Sequence, residues 1–111
     1  MKRYCLALDL IDDPIRIAEY EEIHKAVRPE ILLSIEKSGI LSMEIFRTGN
    51  RMFMLMETND DFSFADKADA DASDPKVQEW EELMWTYQQA LPGAKPGEKW
   101  VLMESIFSFR S

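Results

Sequence analysis

A tyrosine and the only histidine of the chain lie four residues apart in "AEYEEIHKAVRPEI", residues 18–31. On a helix this spacing places Tyr20 and His24 on one face, one turn apart. An imidazole gains or loses a proton near neutral pH, and a tyrosine hydroxyl can assist a proton transfer. The pair therefore has the chemistry of general acid–base catalysis. A core histidine that hydrogen-bonds a carbonyl or a carboxylate fits the same spacing, so both interpretations stay open.

Aromatic and cationic side chains elsewhere are the candidates for ligand contact. Three tryptophans are present, and their ring faces suit the C–H face of a sugar; they are Trp80, Trp85 and Trp100. Arg28 stands beside Pro29, where it can hydrogen-bond a hydroxyl group. Core packing of the tryptophans and a solvated Arg28 are the open alternatives.

Two glutamates interrupt segments that are otherwise apolar, Glu57 and Glu104. Burying a carboxylate costs free energy unless it is paired. Each is therefore predicted to be a site residue or one half of an ion pair. The acidic stretch "DKADADASD" lacks the spacing of a calcium loop and is predicted to be a solvated helix end.

Short apolar runs predict the β-strands that would carry these residues. The predicted strands span residues 3–10, 40–47, 51–58 and 100–109. "TGN" between the second and third strands predicts a tight hairpin turn. In the third strand Met52, Met54 and Met56 face one way, whereas Phe53 and Leu55 face the other. Both faces of the sheet are thus predicted to be apolar.

Residues with a helical period predict the segments between the strands. The first helix begins at Asp12 or Asp13, and Gly39 is its C′ residue. Pro29 lies inside this segment and predicts a kink near Lys25. Further helices are predicted at 62–70 and 75–90.

The element order β-α-β-β-α-β predicts an α+β fold, the ferredoxin-like sandwich, formed by one domain over residues 1–111. Its helices cover one face of the antiparallel sheet. A sheet with one solvated face normally alternates apolar and polar residues, and this one does not. A second copy of the chain is the simplest cover for the other face, which predicts a homodimer of the dimeric α/β-barrel type.

Composition restricts the partners. The 111 residues carry a net charge of −8, and 46% of them are hydrophobic, a globular balance. The negative charge argues against binding to nucleic acid and to an anionic membrane surface. Cys5 is the single cysteine and is predicted to be a small buried hydrophobe. Asp9 interrupts the apolar N-terminal run, and no Cys/His cluster indicates a metal, so a cytoplasmic protein without a metal is expected.

These motifs resemble the L-rhamnose mutarotase family nearly end to end. The most specific one is "EYEEIHKAVRPEI", in which a His follows the Tyr by four residues and a Pro-Glu follows the His by five. "SGI…MEIF", "NRMFMLMET" and "PKVQEWEELM" follow in the expected order. The resemblance implies a dimeric ferredoxin-like fold and cofactor-free interconversion of the anomers of a 6-deoxyhexose. It also implies acid–base roles for Tyr20 and His24, and it aligns Trp80 with a family tryptophan.

The sequence departs from the family at positions that shape the pocket. Many relatives have a tryptophan at Arg28 and a second one at Glu81, and the aromatic of the helix after the third strand is Phe64. The expected substrate-binding residues are Trp80, Arg28, Phe64 and Trp100. "NDDFSF…DPKVQEWEELMW" is similar to a branch associated with L-fucose use, so L-fucose is a rival substrate to L-rhamnose.

Mutarotation needs only acid–base groups, and an inward His24 then implies a pocket between the first helix and the sheet. Two other functions stay open at this point. The first is a cofactor-less monooxygenase or haem-degrading protein of the dimeric α/β-barrel type, since these sites also use an inward histidine or tryptophan. The second is a non-catalytic module that binds a small ligand or a protein through the exposed apolar sheet.

Overall fold

The computed structural model describes all residues, 1–111. Its elements are strand β1 (Lys2–Leu10), helices α1 (Pro14–Ile23) and α2 (Pro29–Lys37), strands β2 (Ile40–Thr48) and β3 (Arg51–Thr58), helices α3 (Phe64–Ala72) and α4 (Pro75–Trp85), and the short strands β4 (Gln88–Gln89) and β5 (Val101–Leu102). All strand pairs are antiparallel, in the order β2-β3-β1-β4, and β5 also pairs with β1. The predicted α+β ferredoxin-like fold is confirmed.

The helix starts follow the signals in the sequence. At α1, α3 and α4 a side-chain oxygen of the preceding residue accepts a hydrogen bond from a main-chain N–H of the first turn; these capping residues are Asp13, Ser63 and Asp74. Pro14, Pro29 and Pro75 each occupy the first turn, where their missing N–H costs nothing. Local chemistry therefore fixes where the helices begin.

The first predicted helix is wrong in one respect, because it is two helices and not one kinked helix. Pro29 begins α2, and the steric demand of its ring holds Arg28 in an extended conformation with ψ 136°. His24 is consequently the C-cap of α1 and not a residue of the helix interior. Gly39 does follow the end of α2, at φ 93°, where an added Cβ would lie 2.7 Å from the Asn59 amide nitrogen.

The helix predicted at 75–90 is also wrong at its end, since α4 stops at Trp85. The Thr86 hydroxyl donates a hydrogen bond to the Leu83 carbonyl at the C-cap. The next residues leave the helix for the edge of the sheet, where the carbonyl of Tyr87 accepts from the N–H of Ile11 at 2.8 Å. A continued helix would lose these backbone hydrogen bonds to the sheet edge. The chain therefore leaves the helix and forms β4.

The strand predicted at 100–109 is wrong over most of its length. Only Val101 and Leu102 form β5, and the N–H of Met103 makes one further bond to the Cys5 carbonyl at 2.8 Å. Residues 104–111 have no strand partner, and Ile106 is 95% exposed. β4 and β5 together occupy the place of the expected fourth strand beside β1.

The two faces of the sheet differ in their cover. In β1 and β3 all buried apolar side chains point toward the helices; they are Leu6, Leu8, Leu10, Met52, Met54 and Met56. The opposite face, called the open face below, carries Cys5, Ala7, Phe46, Phe53 and Leu55. Of these Phe46 is 50% exposed and the others are half-buried, Cys5 included, so the expectation of a buried cysteine is wrong. None of the four helices has the length and hydrophobicity that a membrane span requires.

Candidate functional site

A cavity of about 780 Å³ lies on the helix-covered side of the sheet, within the size range of small-molecule sites. Its walls come from the end of α1, from α2, α3 and α4, from β2, and from the segment just before β5. We call it the central cavity. The predicted residues Tyr20, His24, Trp80 and Trp100 all line it. A smaller cavity of about 380 Å³ shares Tyr20 and His24 with it and is also lined by Glu21 and Arg47, which form an ion pair.

Tyr20 and His24 are in direct contact, as their spacing predicts. Their ring centroids are 4.2 Å apart, with 34° between the ring planes. Tyr20 is buried within the apolar cluster that includes Leu8 and Met84, whereas His24 is half-buried at the end of α1. The helix therefore presents both side chains to one cavity.

The tautomer of neutral His24 follows from its hydrogen bond. Its Nδ1 lies 2.7 Å from the main-chain carbonyl oxygen of Tyr20. A carbonyl oxygen can only accept, so Nδ1 carries the hydrogen and donates it. In a neutral imidazole Nε2 is then left with its lone pair, which is the form that a general base requires.

The Tyr20 hydroxyl forms a hydrogen bond with Gln88. The side-chain amide of Gln88 donates to the Tyr20 oxygen at 3.3 Å, and both residues are buried. Burial raises the pKa of Tyr20, and the hydrogen bond from Gln88 opposes that rise. The phenol therefore stays protonated at neutral pH and keeps its own hydrogen for donation.

Trp80 forms the side of the site next to His24. The two rings meet edge to face with their centroids 5.7 Å apart. The Arg28 guanidinium lies 5.6 Å from the centre of the Trp80 ring and donates to Glu79 at 2.9 Å. Arg28 thus contacts the tryptophan and does not line the central cavity. Trp100 packs against both apolar clusters at the cavity wall.

Other residues singled out in the sequence lie elsewhere. Phe64 packs against Tyr4 and Phe62, with centroids 4.9 and 5.0 Å away, and does not line the central cavity. Trp85 is also outside the cavity and has the Lys99 ammonium 5.0 Å from its ring centre.

The two glutamates are not buried site residues. Glu57 is half-buried and accepts a hydrogen bond from the Ser42 hydroxyl at 3.3 Å, and Glu104 is exposed beyond β5. Neither forms an ion pair. The expectation of a site role or a salt bridge fails because neither carboxylate is removed from water.

Sequence reasoning missed two polar features of the cavity wall. Gln88 was predicted to be helical, and only the sheet edge brings it to Tyr20. Lys67 and Asp71 form an ion pair at 3.0 Å and line the cavity from α3, so this part of the acidic stretch is not a solvated helix end. The four-residue spacing of that pair on a helix was the available signal. No cluster of three or more His, Cys, Asp or Glu side chains is placed to hold a metal ion.

Comparisons with known proteins identify relatives of this chain. A family model described as L-rhamnose mutarotase matches residues 3–109. An L-fucose mutarotase from Xanthomonas campestris is 49% identical over 110 residues, which cover 97% of this chain and 88% of that protein. A protein from Dictyostelium discoideum whose name states no activity is 36% identical over 110 residues, covering 96% and 88%.

Solved structures agree on the fold. The crystal structure of an L-rhamnose mutarotase from Formosa agariphila superposes with a TM-score of 0.73 at 18% identity and covers 99% of this chain and 100% of that one. The tetracenomycin F2 cyclase of Streptomyces glaucescens, a type-II polyketide cyclase, gives a TM-score of 0.60 at 22% identity, covering 100% and 99%. At these identities the likeness shows the fold alone, the ferredoxin-like sandwich of the dimeric α/β-barrel type.

Proposed function

Because the chain belongs to the L-rhamnose mutarotase family, we propose that it interconverts the α and β anomers of a 6-deoxyhexose in the central cavity. This family assignment confirms the resemblance seen in the sequence and the enzyme class, an isomerase of sugars. One observation carries the site assignment. The Nδ1–H of His24 is used by the Tyr20 carbonyl, so a free Nε2 and a protonated phenol lie side by side at the cavity.

In the proposed ring opening, His24 and Tyr20 each transfer one proton. The Nε2 atom of His24 takes the proton of the anomeric hydroxyl, and a carbonyl forms as the bond from the anomeric carbon to the ring oxygen breaks. The hydroxyl of Tyr20 gives its proton to that ring oxygen. Rotation of the open-chain aldehyde followed by the reverse transfers closes the ring on the other carbonyl face and restores both residues. Only protons and one carbon–oxygen bond change, so no electrons pass to a cofactor.

The tryptophans supply the apolar part of the binding site. Trp80 and Trp100 line the cavity and offer ring faces to the C–H surface of the sugar. Arg28 acts through Trp80, because its guanidinium lies 5.6 Å from the centre of that ring and does not itself line the cavity. A direct contact between Phe64 and the sugar is not part of the proposal, since Phe64 packs against Tyr4 and Phe62.

L-Fucose is the preferred substrate in this proposal, with L-rhamnose second. The 49% identical relative is named an L-fucose mutarotase. The family model carries the name L-rhamnose mutarotase, and so does the solved structure, which is the more distant of the two named relatives at 18% identity.

Saturation-transfer NMR on the anomeric protons of L-fucose and L-rhamnose tests this function. We expect the wild-type protein to accelerate anomer exchange. The rate with His24→Ala should be lower by about 100-fold or more, since one acid–base group contributes that much. Glu22→Ala is the matched control, because Glu22 is exposed on the same helix. Equal rates for His24→Ala and the wild type would remove His24 from the mechanism, and no acceleration of either sugar would refute the proposed function.

A homodimer is the assembly that we propose, with the open faces of two chains packed together. Phe46 and Phe53 pair on that face with ring centroids 6.0 Å apart, and no helix covers them. The C-terminal segment also exposes apolar side chains, Phe107 and Phe109 among them. A second copy packed on the open face buries the two phenylalanines of that face. Light scattering of the isolated protein tests it, since a monomeric mass would contradict the proposal.

A cytoplasmic location also stays a proposal. It is supported by the single cysteine, Cys5, which has no disulfide partner in the chain.

A further inference from the structure

We propose that Gln88 is a positioning residue for the proton transfer: its amide occupies the Tyr20 hydroxyl oxygen and directs the phenolic hydrogen into the central cavity. This inference rests on the proposed function. It adds a residue of β4 to a site that was predicted from α1, Arg28 and aromatic residues of the second half of the chain.

The hydrogen bond between Gln88 and Tyr20 has only one possible direction. The Gln88 side-chain nitrogen lies 3.3 Å from the Tyr20 oxygen, and an amide nitrogen can only donate. The phenol is therefore the acceptor in this bond and keeps its single hydrogen for another partner. Both residues also line the central cavity, which holds the substrate in the proposed function.

Gln88 is held rigidly enough to act in this way. It is 8% exposed, and its backbone pairs with Leu10 of β1. The preceding residue, Tyr87, donates its hydroxyl hydrogen to the Glu19 carboxylate at 2.9 Å. Tyr87 and Gln88 thus hydrogen-bond two successive residues of α1, Glu19 and Tyr20. These bonds and the strand pairing fix the distance from Gln88 to the phenol.

Electrostatics favours the same role. When Tyr20 gives up its proton, negative charge develops on an oxygen that burial has removed from water. A fixed N–H donor stabilises that charge, as preorganised donors do in other active sites. In accord with this, burial raises the pKa of Tyr20 while the Gln88 bond works in the opposite direction.

Gln88→Leu tests the inference, because it removes the donor and keeps similar bulk. We expect kcat to fall about tenfold with KM changed less than twofold, since misplacement of a reacting group affects the chemical step. We also expect the pKa of Tyr20 to rise, measured by NMR on protein labelled at the tyrosine ζ-carbon and assigned with Tyr20→Phe. Gln88→Glu, whose carboxylate accepts the phenolic hydrogen and turns it from the cavity, is expected to lower kcat further and to raise the same pKa.

Two controls separate positioning from packing. Gln89→Leu changes the exposed neighbour on the same strand and is expected to leave kcat and the Tyr20 pKa as in the wild type. Tyr87→Phe removes the bond from β4 to Glu19 and keeps Gln88. A loss of kcat in Tyr87→Phe equal to that in Gln88→Leu would overturn the proposal, because displacement of β4 would then suffice.

The failure of this inference differs from the failure of the proposed function. The function fails if the wild-type protein accelerates neither sugar. The inference fails if the wild-type protein is active and Gln88→Leu keeps its kcat, or if the Tyr20 pKa is the same in both proteins. A lower kcat together with a higher Tyr20 pKa in Gln88→Leu supports it.

Discussion

The helix-covered face and the open face of the same sheet are built from alternate residues of the same strands. In β3, Met52 and Met54 point to the helices and are buried, whereas Phe53 and Leu55 point to the open face and are half-buried. The covered face is not packed solid, because the central cavity interrupts it beside Tyr20 and His24. The open face combines apolar side chains with polar ones such as Glu44, which lies opposite Leu55, and it carries no residue of the proposed proton transfer. In the proposed function and assembly, β3 thus faces the substrate cavity with one set of side chains and the dimer interface with the other.

Matched leucine substitutions on the two faces test this difference with the largest expected effect. Leu8 is completely buried on the covered face, and Leu55 is half-buried on the open face. We expect Leu8→Ala to lower the free energy of unfolding by about 2–5 kcal/mol, the range for buried leucines. Leu55→Ala should cost less than about 1.5 kcal/mol at dilutions where only the monomer is present. Urea unfolding measures both, and equal losses would mean that the faces do not differ in burial.

Removal of one hydroxyl from the covered face is expected to affect activity. Tyr20→Phe keeps the ring contact with His24 and removes the proton that the proposed mechanism delivers to the ring oxygen. We expect kcat to fall about 100-fold while the oligomeric state stays as in the wild type. Tyr4→Phe is the control, since Tyr4 packs against Phe62 and Phe64 away from the cavity. A similar loss in both variants would argue for a structural effect.

The fold was predictable where the signals are local. Capping residues such as Asp13 and Asp74, followed by prolines, set the helix starts, and the alternation in β3 assigned its faces correctly. The errors lie where residues distant in sequence determine the end of an element. α4 ends early because Tyr87 and Gln88 meet α1 and β1, a contact that no window of sequence contains. The last strand is short because the chain after Met103 has no strand partner.

The candidate site divides in the same way. Tyr20 and His24 could be paired from their spacing, since one helix holds both. Gln88 could not, because it reaches Tyr20 across 68 residues of sequence. Arg28 could be noticed beside Pro29, but its contact with the Trp80 ring depends on how α2 and α4 pack. Spacing identifies partners within an element, and tertiary packing decides the others.

A charge introduced on the open face tests whether that face forms the proposed dimer interface. Phe53→Glu places a carboxylate among apolar side chains that the proposed dimer buries, next to Phe46. We expect the dimer to dissociate at least about thirtyfold more readily, roughly 2 kcal/mol, as for a central interface residue. Sedimentation over a range of concentrations measures it. Thr48→Glu adds the same charge at the edge of that face, near the hairpin turn, and should leave the mass unchanged. A dimer that tolerates Phe53→Glu must use another surface.

The smallest expected effect concerns alkaline pH and the covered face alone. Burial raises the pKa of Tyr20 above the ordinary value of 10.0 that it regains on unfolding. Above pH 10 the unfolded chain loses this proton before the folded one, so the folded state binds more protons and stability falls as pH rises. Below pH 10 both states keep the proton and the effect vanishes. Tyr20→Phe should therefore lose less stability than the wild type between pH 9 and pH 11 (roughly the window around the unfolded value) in urea unfolding. The pKa values of Tyr87, Lys25 and Arg51 are also raised, and because these groups are present in both proteins their effects cancel in the difference. If the two proteins lose stability in parallel, Tyr20 is not desolvated, and the covered face is more open to water than the structure shows.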